Sequence, residues 1–469
     1  MLSTERGGPC QGSSPQRRIW WPSSSSQPPP RPRVAAVVDR AKPDATSQGQ
    51  PASGLHLHSW RDRAIVATAL VATAAGFGQF GAVAALGDVA KHFGHITHGV
   101  TIAEQAGLSG TKLGIGLAVL RLASLGGLPL AGLADRFGRR RVMLWTCALG
   151  LALTAVSAVS PTYWWFVAIF ALGRPLLSAT SGVAQVTAAE ETDSSERASA
   201  VALIAAGYGI GSGLIAIVHS LASSTLGFRG VVLLALVPLA GLPFVARWVV
   251  EPDRFKIAAA SGEHPLPVLG AVSRRFRRRL LIVAALTFAI SVVTGPANSF
   301  FFLYAQNVVR FSGTATALLV AGAGITGLAG LLLGRFLADR VGRRLAAGGA
   351  MIGMALFGML IYSGSAAGAA VGYLLEIFAA SSFAAPAGAL TNELFPTSVR
   401  ASVIGWEIAA GVFGATAGLL AFGAVADVGN RFGIAAVVVF AATIPATGLF
   451  ALLPETLGKE PEDLWSEAG

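Results

Sequence analysis

Apolar runs of about 20 residues, separated by short polar breaks, fill most of this sequence. They lie at about 64–87, 110–134, 142–160, 163–188, 199–223, 229–249, 280–304, 314–338, 346–364, 367–391, 402–426 and 433–453. At 1.5 Å of rise per residue, each is long enough for one helix to cross the ~30 Å hydrocarbon core of a bilayer. The pattern predicts an all-α membrane protein with twelve transmembrane helices. The shortest break is Ser160-Pro161-Thr162, between the third and fourth runs.

The break after the second run reads Gly132-Leu-Ala-Asp-Arg-Phe-Gly-Arg-Arg-Arg141, and after the eighth it returns as Phe336-Leu-Ala-Asp-Arg-Val-Gly-Arg-Arg344. Asp135 and Asp339 are 204 positions apart, and the same offset places Arg136 on Arg340, Gly138 on Gly342 and Arg139 on Arg343. One copy is unremarkable, but two at one offset predict a duplicated half. The aspartates can accept hydrogen bonds at a helix end, and the glycines permit a backbone that a side chain would penalise. The arginines keep each turn in water. The expected domains are a six-helix bundle at 63–250, a polar connector at 251–279 with Pro265 and Pro267, and a second bundle at 280–453, followed by a short tail from 454.

These paired turns resemble the loops between helices 2 and 3 and helices 8 and 9 of the major facilitator superfamily. Glu393-Leu-Phe-Pro-Thr-Ser-Val-Arg400 and Pro454-Glu-Thr-Leu-Gly-Lys459 are similar to loops of its sugar, organic-ion and aromatic-acid porters. Their first-half counterparts, Glu190-Glu191 with Arg197 and Glu251-Pro252, are blurred. The resemblance implies two pseudo-symmetric bundles that rock about a midplane site. It also implies that Asp135, Arg136, Gly138 and Arg139, with Asp339, Arg340, Gly342 and Arg343, form the inner gate.

Composition agrees with a membrane protein: 53% of residues are apolar, 13% are charged, and mean hydropathy is +0.63. The basic residues set an orientation. With both termini inside, the outer side holds only Lys91, Lys112, Arg229, Arg310 and Arg431. The inner side receives Arg136 to Arg141, Arg340 to Arg344 and the Arg274–Arg279 cluster. The plasma membrane, with cytoplasmic termini, is the expected location. Residues 1–62, rich in Ser, Pro and Arg, read as a disordered cytoplasmic tail: either a solvated extension or a surface for anionic lipid or a partner. Cys10 and Cys147 make no disulfide framework.

Charge inside a span is costly and usually faces a cavity or a partner. Arg121, Arg174, Glu376 and Glu407 are the four such groups. Arg174, Ser178, Ser181 and Gln185 recur at helical spacing and share a face; Tyr208, Ser212 and His219 align similarly, as do Thr294 with Asn298 and Tyr373 with Glu376. Together with Gln79 these predict a wet central chamber, with Phe300, Phe301 and Phe302 as an aromatic wall. Arg174 either binds an anionic group of the substrate or makes a structural salt bridge, and Arg121 either lines the path or pairs with Glu376 or Glu407. Glu376 and Glu407 are the candidate proton carriers; the alternative for Glu376 is ion pairing, and for Glu407, nearer the cytoplasmic end and the loop motif, an interdomain or loop contact. Gln79 stands where relatives often carry a coupling aspartate, and an amide cannot carry that proton. Glycines of the fifth, eighth and eleventh runs read either as gate surfaces or as static packing.

There is no G-x-x-x-x-G-K-[ST] loop and no His, Cys and carboxylate cluster at metal spacing, so no enzyme activity, cofactor, metal or nucleic-acid partner is expected. The expectation is a monomeric secondary transporter of a small organic solute (a sugar, an organic acid or an aromatic acid), coupled to protons. A drug-efflux antiporter and a non-transporting membrane sensor are the alternatives; the fifth run lacks the Gly-Pro pair of the antiporter signature.

Overall fold

A computed structural model describes residues 62–96, 101–192, 197–252, 272–429 and 431–466. The amino-terminal tail and most of the connector expected at 251–279 lie outside the described residues. Among those residues the chain is helical and has no strand. Eleven helices are long and apolar enough to cross a membrane: α1 Arg63–Ala84, α2 Gly110–Phe137, α3 Arg139–Val159, α4 Tyr163–Glu191, α5 Ser199–Ala222, α7 Arg274–Val308, α8 Gly313–Arg340, α9 Arg343–Ile361, α10 Ala366–Leu394, α11 Ser402–Gly429 and α12 Phe432–Leu452. The sixth run is a bent pair, Ser224–Leu233 with Leu236–Val245, which we label α6; it turns by 41°.

Two short helices, Leu86–Phe93 and Ile102–Ala106, lie between α1 and α2. α7 opens with the arginine cluster Arg274–Arg279 as its first turns, so these residues are helical rather than connector. Near its far end it passes through one π-turn at Tyr304–Val308.

Backbones approach closely where side chains are missing. A Cβ on Gly211 of α5 would lie 1.9 Å from the Thr73 carbonyl oxygen of α1, and in α11 one on Gly414 would lie 2.2 Å from that of Phe288 in α7. Gly334 of α8 meets the Ser382 carbonyl of α10 in the same way. These glycines pack helices within one half. Of the two roles read from sequence, static packing is the one these contacts carry, because each faces its own bundle. Other glycines sit between the halves, among them Gly110 and Gly114 of α2 against α11, Gly423 of α11 against Gly110, and Gly313 of α8 against α5. Large apolar side chains such as Ile325, Leu345 and Val237 point outward and are two-thirds or more exposed, as expected where lipid is the solvent.

Candidate functional site

The two arginine turns have matching construction. Gly138 (φ 98°) and Gly342 (φ 109°) sit in the left-handed region, which turns the chain and aims the next two N–H groups outward from the start of α3 or α9. In the first half the Glu251 carboxylate accepts from the backbone N–H of Arg139 and, at 3.1 Å, from that of Arg140. In the second half Glu455 accepts from Arg343 N at 2.9 Å and Arg344 N at 3.2 Å. Each acid lies 112 positions beyond the first donor.

Arg139 ion-pairs with Asp135 and grips Glu190 through two N–H groups, at 2.8 and 3.0 Å. Arg343 lies 3.8 Å from Asp339 and donates to Glu393 at 3.3 Å. The blurred first-half motifs Glu190 and Glu251 are thus the spatial counterparts of Glu393 and Glu455. Burial alone would raise the Glu455 pKa, but the N–H groups of Leu457, Arg343, Arg344 and Thr456 outweigh it and hold the carboxyl below its ordinary value.

At the centre, Arg174 of α4 is 8% exposed and donates from Nη1 to the Gln79 carbonyl of α1 at 2.6 Å; its Nε is buried without a partner. Tyr208 of α5 donates its hydroxyl proton to Gln79 Oε1 at 3.2 Å. Arg121 of α2 lies in the electrostatic field of both Arg174 and Tyr208. In the second half, Glu376 of α10 is fully buried, and neither of its carboxylate oxygens has a hydrogen-bond partner. Asn298 of α7 is the side-chain donor turned toward it, and Tyr362 and Tyr373 lie within its field. Phe301 stacks on Tyr373 with ring centroids 3.7 Å apart, and Phe302 meets Phe80 of the opposite half edge-on at 5.8 Å.

On the far side from the arginine turns, the halves are fastened together. Asp427, near the end of α11, caps the first turn of α2: Gly110 N donates to it at 2.6 Å, Thr111 N at 2.8 Å and the Thr111 hydroxyl at 2.6 Å. His219 of α5 bridges Asp88 at 2.9 Å and Gln306 of α7 at 3.3 Å. With Gln306 donating to Nδ1, the ring proton sits on Nε2 and points to Asp88. The Asn307 amide donates to the Gly87 and Ala106 carbonyls. On the turn side, the ion pairs Arg139–Asp135, Arg139–Glu190, Arg343–Asp339 and Arg343–Glu393 are each made within one half. The central groups therefore lie beneath a closed far side.

The structure gathers Arg174, Gln79 and Tyr208 in one cluster and Glu376, Asn298 and Tyr373 in another. Ser181 donates to its own helix at Leu177, Ser178 packs on Gly127 of α2, and Gln185 is exposed toward the turn side. Glu407 stands apart, accepting from Thr391 at 2.8 Å beside a cavity of about 350 Å³ between α7, α10 and α11. Thr391 is 15 residues beyond Glu376 on α10, about 22 Å of helix rise. Among the described residues no ion pair joins Arg121 to Glu376 or Glu407. Arg136 and Arg340 are exposed and stay out of the turn networks; Arg340 instead lies over Phe336, 4.4 Å from its ring centroid. Of the expected wall, Phe300 turns into the second-half core against Phe422 and Phe432.

Residues 68–336, more than half of the chain, match the family model described as Major Facilitator Superfamily. The chain belongs to the major facilitator superfamily. This facilitator is a membrane transporter and not an enzyme. Its residues 254–465 also match the model described as Sugar (and other) transporter. A Haemophilus influenzae protein named for metabolite transport is 25% identical over 302 residues, covering 60% of this chain and 71% of that one. A protein of Cupriavidus pinatubonensis named as a 4-methylmuconolactone transporter is 24% identical over 376 residues, with coverage of 76% and 85%. The inward-open conformation of the xylose transporter XylE from E. coli shares the fold, with a TM-score of 0.65 at 19% identity over 86% of this facilitator and 99% of that chain. An inward-facing bacterial homolog of the human lysosomal transporter Spinster aligns with a TM-score of 0.60 at 14% identity, with coverage of 87% and 97%.

Proposed function

We propose that this facilitator carries a small organic solute across the cell membrane by alternating access, coupled to protons through Glu376, with the arginine turns on the cytoplasmic side. One observation carries the reading: Glu376 is a fully buried carboxyl whose two oxygens have no hydrogen-bond partner, within a span and beneath a far side at which the halves are fastened. A carboxyl held in that way is costly when charged and inexpensive when protonated, so its proton follows the opening of the site to water. The far-side fastening corresponds to the inward-open member of the cycle, in which the turn networks are satisfied inside each half. In the opposite state the turns approach one another, and Asp135 and Arg139 exchange partners across the gate.

The test is uptake into proteoliposomes across a panel of sugars, organic acids and aromatic acids, with and without an imposed pH gradient. The wild-type protein should accumulate its substrate faster with the gradient. Glu376→Gln should lose gradient-driven accumulation and keep substrate exchange; accumulation that persists in Glu376→Gln overturns the coupling role. Asp135→Asn should slow turnover and leave substrate binding largely intact, and an unchanged rate at normal expression would exclude its gate role.

A further inference from the structure

We infer that the first half carries a binding site for the phosphodiester headgroup of an anionic phospholipid, set where the first arginine turn meets the end of α6. A cavity of about 800 Å³ lies there, lined by Arg136, Arg140, Arg141 and Arg247 together with Trp145 and Glu251. All four arginines are exposed, and among the described residues none is ion-paired with a carboxylate. Glu251 is already spent on the backbone N–H groups of Arg139 and Arg140. Arg140 gives one N–H to the Ala246 carbonyl at 2.9 Å, and Arg247 lies over the Phe244 ring, 5.2 Å from its centroid. Each guanidinium has five donors, so most remain unspent. Four positive charges against one negative leave a surplus that an anion neutralises, and a phosphodiester presents the acceptor oxygens that guanidinium forks match.

The apolar groups around the cavity select a lipid over a soluble phosphate. Arg141, Trp145 and Leu149 follow one another at four-residue spacing and share one face of α3, so that from the turn into the span they read cation, aromatic, aliphatic. Trp145 is 63% exposed and Leu149 49%. On the other wall Arg247 follows the end of α6, and Phe244, one turn earlier, is 62% exposed. An amphiphile has the same order, with its charged head at the rim and its chains along the apolar face. Tryptophan and arginine at the end of a span mark the depth at which headgroups lie.

The joint itself does not need these side chains. At the offset of 204 that superposes the turns, and Glu251 on Glu455, Arg141 falls on Leu345, Trp145 on Gly349 and Arg247 on Ala451. The second joint makes the same glycine, arginine and glutamate contacts without them. They therefore serve something other than the turn, and it is confined to the first half. The site needs only a membrane-embedded chain and so stands apart from the carrier reading; the cytoplasmic placement of the turns proposed above assigns it to the inner leaflet.

The test is lipid titration of the purified full-length protein in a neutral detergent, reading the shift in thermal midpoint. The probes are dioleoyl phosphatidylglycerol, dioleoyl phosphatidylcholine, glycerol 3-phosphate and inorganic phosphate. Phosphatidylglycerol should raise the midpoint, phosphatidylcholine at the same mole fraction should not, and the effect should fade as salt rises. Arg141→Gln and Arg247→Gln should each raise the half-saturating phosphatidylglycerol about fivefold, the effect of one basic residue beside an anionic headgroup, and the two together about 25-fold. Both side chains are exposed, so the unliganded midpoint should hold; native mass spectrometry, counting retained lipids, gives the same comparison for a variant whose midpoint moves. A matched loss of charge by Arg277→Gln with Arg278→Gln, in the exposed arginine cluster that opens α7, should leave the titration in place. Equal weakening by that pair would reduce the binding to general attraction and overturn the site. An equal response to the two lipids, or no response to either, would overturn it too. A response to the soluble phosphates that matches phosphatidylglycerol would make the cavity a site for free anions and remove the lipid. Substrate exchange that persists while lipid binding fails would strike this site and leave the carrier standing.

Discussion

Replacing Asp427 should tip this facilitator away from the conformation described here. The carboxylate holds the halves together through three hydrogen bonds, all to the first turn of α2. Hydrogen bonds to a charged group contribute about 1.5–3 kcal/mol each in favourable settings. Asp427 is only half-buried, and water takes up the freed N–H groups once the halves part. A total near 2 kcal/mol is therefore reasonable, similar to the loss of a strong helix N-cap. That energy is present only while the far side is closed, so Asp427→Ala should shift the closed-to-open ratio by about 30-fold. Thr111→Val, which removes one of the three bonds, should shift it less. The readout is a distance distribution between spin labels at Lys112→Cys and Val428→Cys, with Cys10 and Cys147 replaced by serine; both label positions are exposed. A longer far-side distance should gain population in Asp427→Ala. A distribution that matches wild type would refute the assignment of the cap as a fastening between the halves.

Other outcomes follow from the same geometry. Gly138→Ala and Gly342→Ala force a side chain into the left-handed region, at about 1–2 kcal/mol, and place a Cβ 2.9 or 2.7 Å from the capping glutamate; both should lower the thermal midpoint in detergent, while Gly349→Ala, in open space, should not. The Glu455 carboxyl is held below its ordinary value, so the unfolded chain binds the proton more readily; its contribution is complete above the ordinary glutamate range, about 4.3, and is lost as pH falls through the lowered folded value. Acid titration of the thermal midpoint should therefore be shallower in Glu455→Gln. Glu407→Gln, whose carboxylate is held by Thr391 about half of α10 away from Glu376, should leave gradient-driven uptake unchanged, and loss of coupling there would overturn the choice of Glu376.

Much of this was legible in the sequence, for reasons that can be named. The runs report lipid contact, which every span must satisfy, and the Asp-Arg-x-Gly-Arg turns report a backbone that only glycine adopts readily. The bend in α6 and the short helices before α2 were hidden, because hydropathy records burial in lipid and not direction. The far-side closure was hidden too. Asp427, Gln306, Asn307 and Asp88 stand at helix ends, where any polar side chain is at ease in water, and nothing local distinguishes a cap on another half from a solvated tip. Position along the span already set Glu407, nearer the cytoplasmic end and the loop motif, apart from Glu376; what only the fold adds is its partner Thr391, 15 residues along α10 from Glu376.

The duplication itself shows where the two halves diverge. Glu190 and Glu393 set an offset of 203 for α4 and α10, and at that offset Arg174 falls on Ile377 and Glu376 falls on Gly173. Arg121 falls on Ile325 at the offset of 204 set by the adjoining turn. The turns kept Asp, Gly, Arg and two glutamates in both halves, because each half needs the same joint to hold its own helices. The charged groups of the chamber were not kept in pairs: the cations belong to one half and the buried acid to the other. A proton-coupling carboxyl needs only one such group in the chain, so the proposed role of Glu376 gives a reason for that divergence that the joints, which each half needs for itself, do not share.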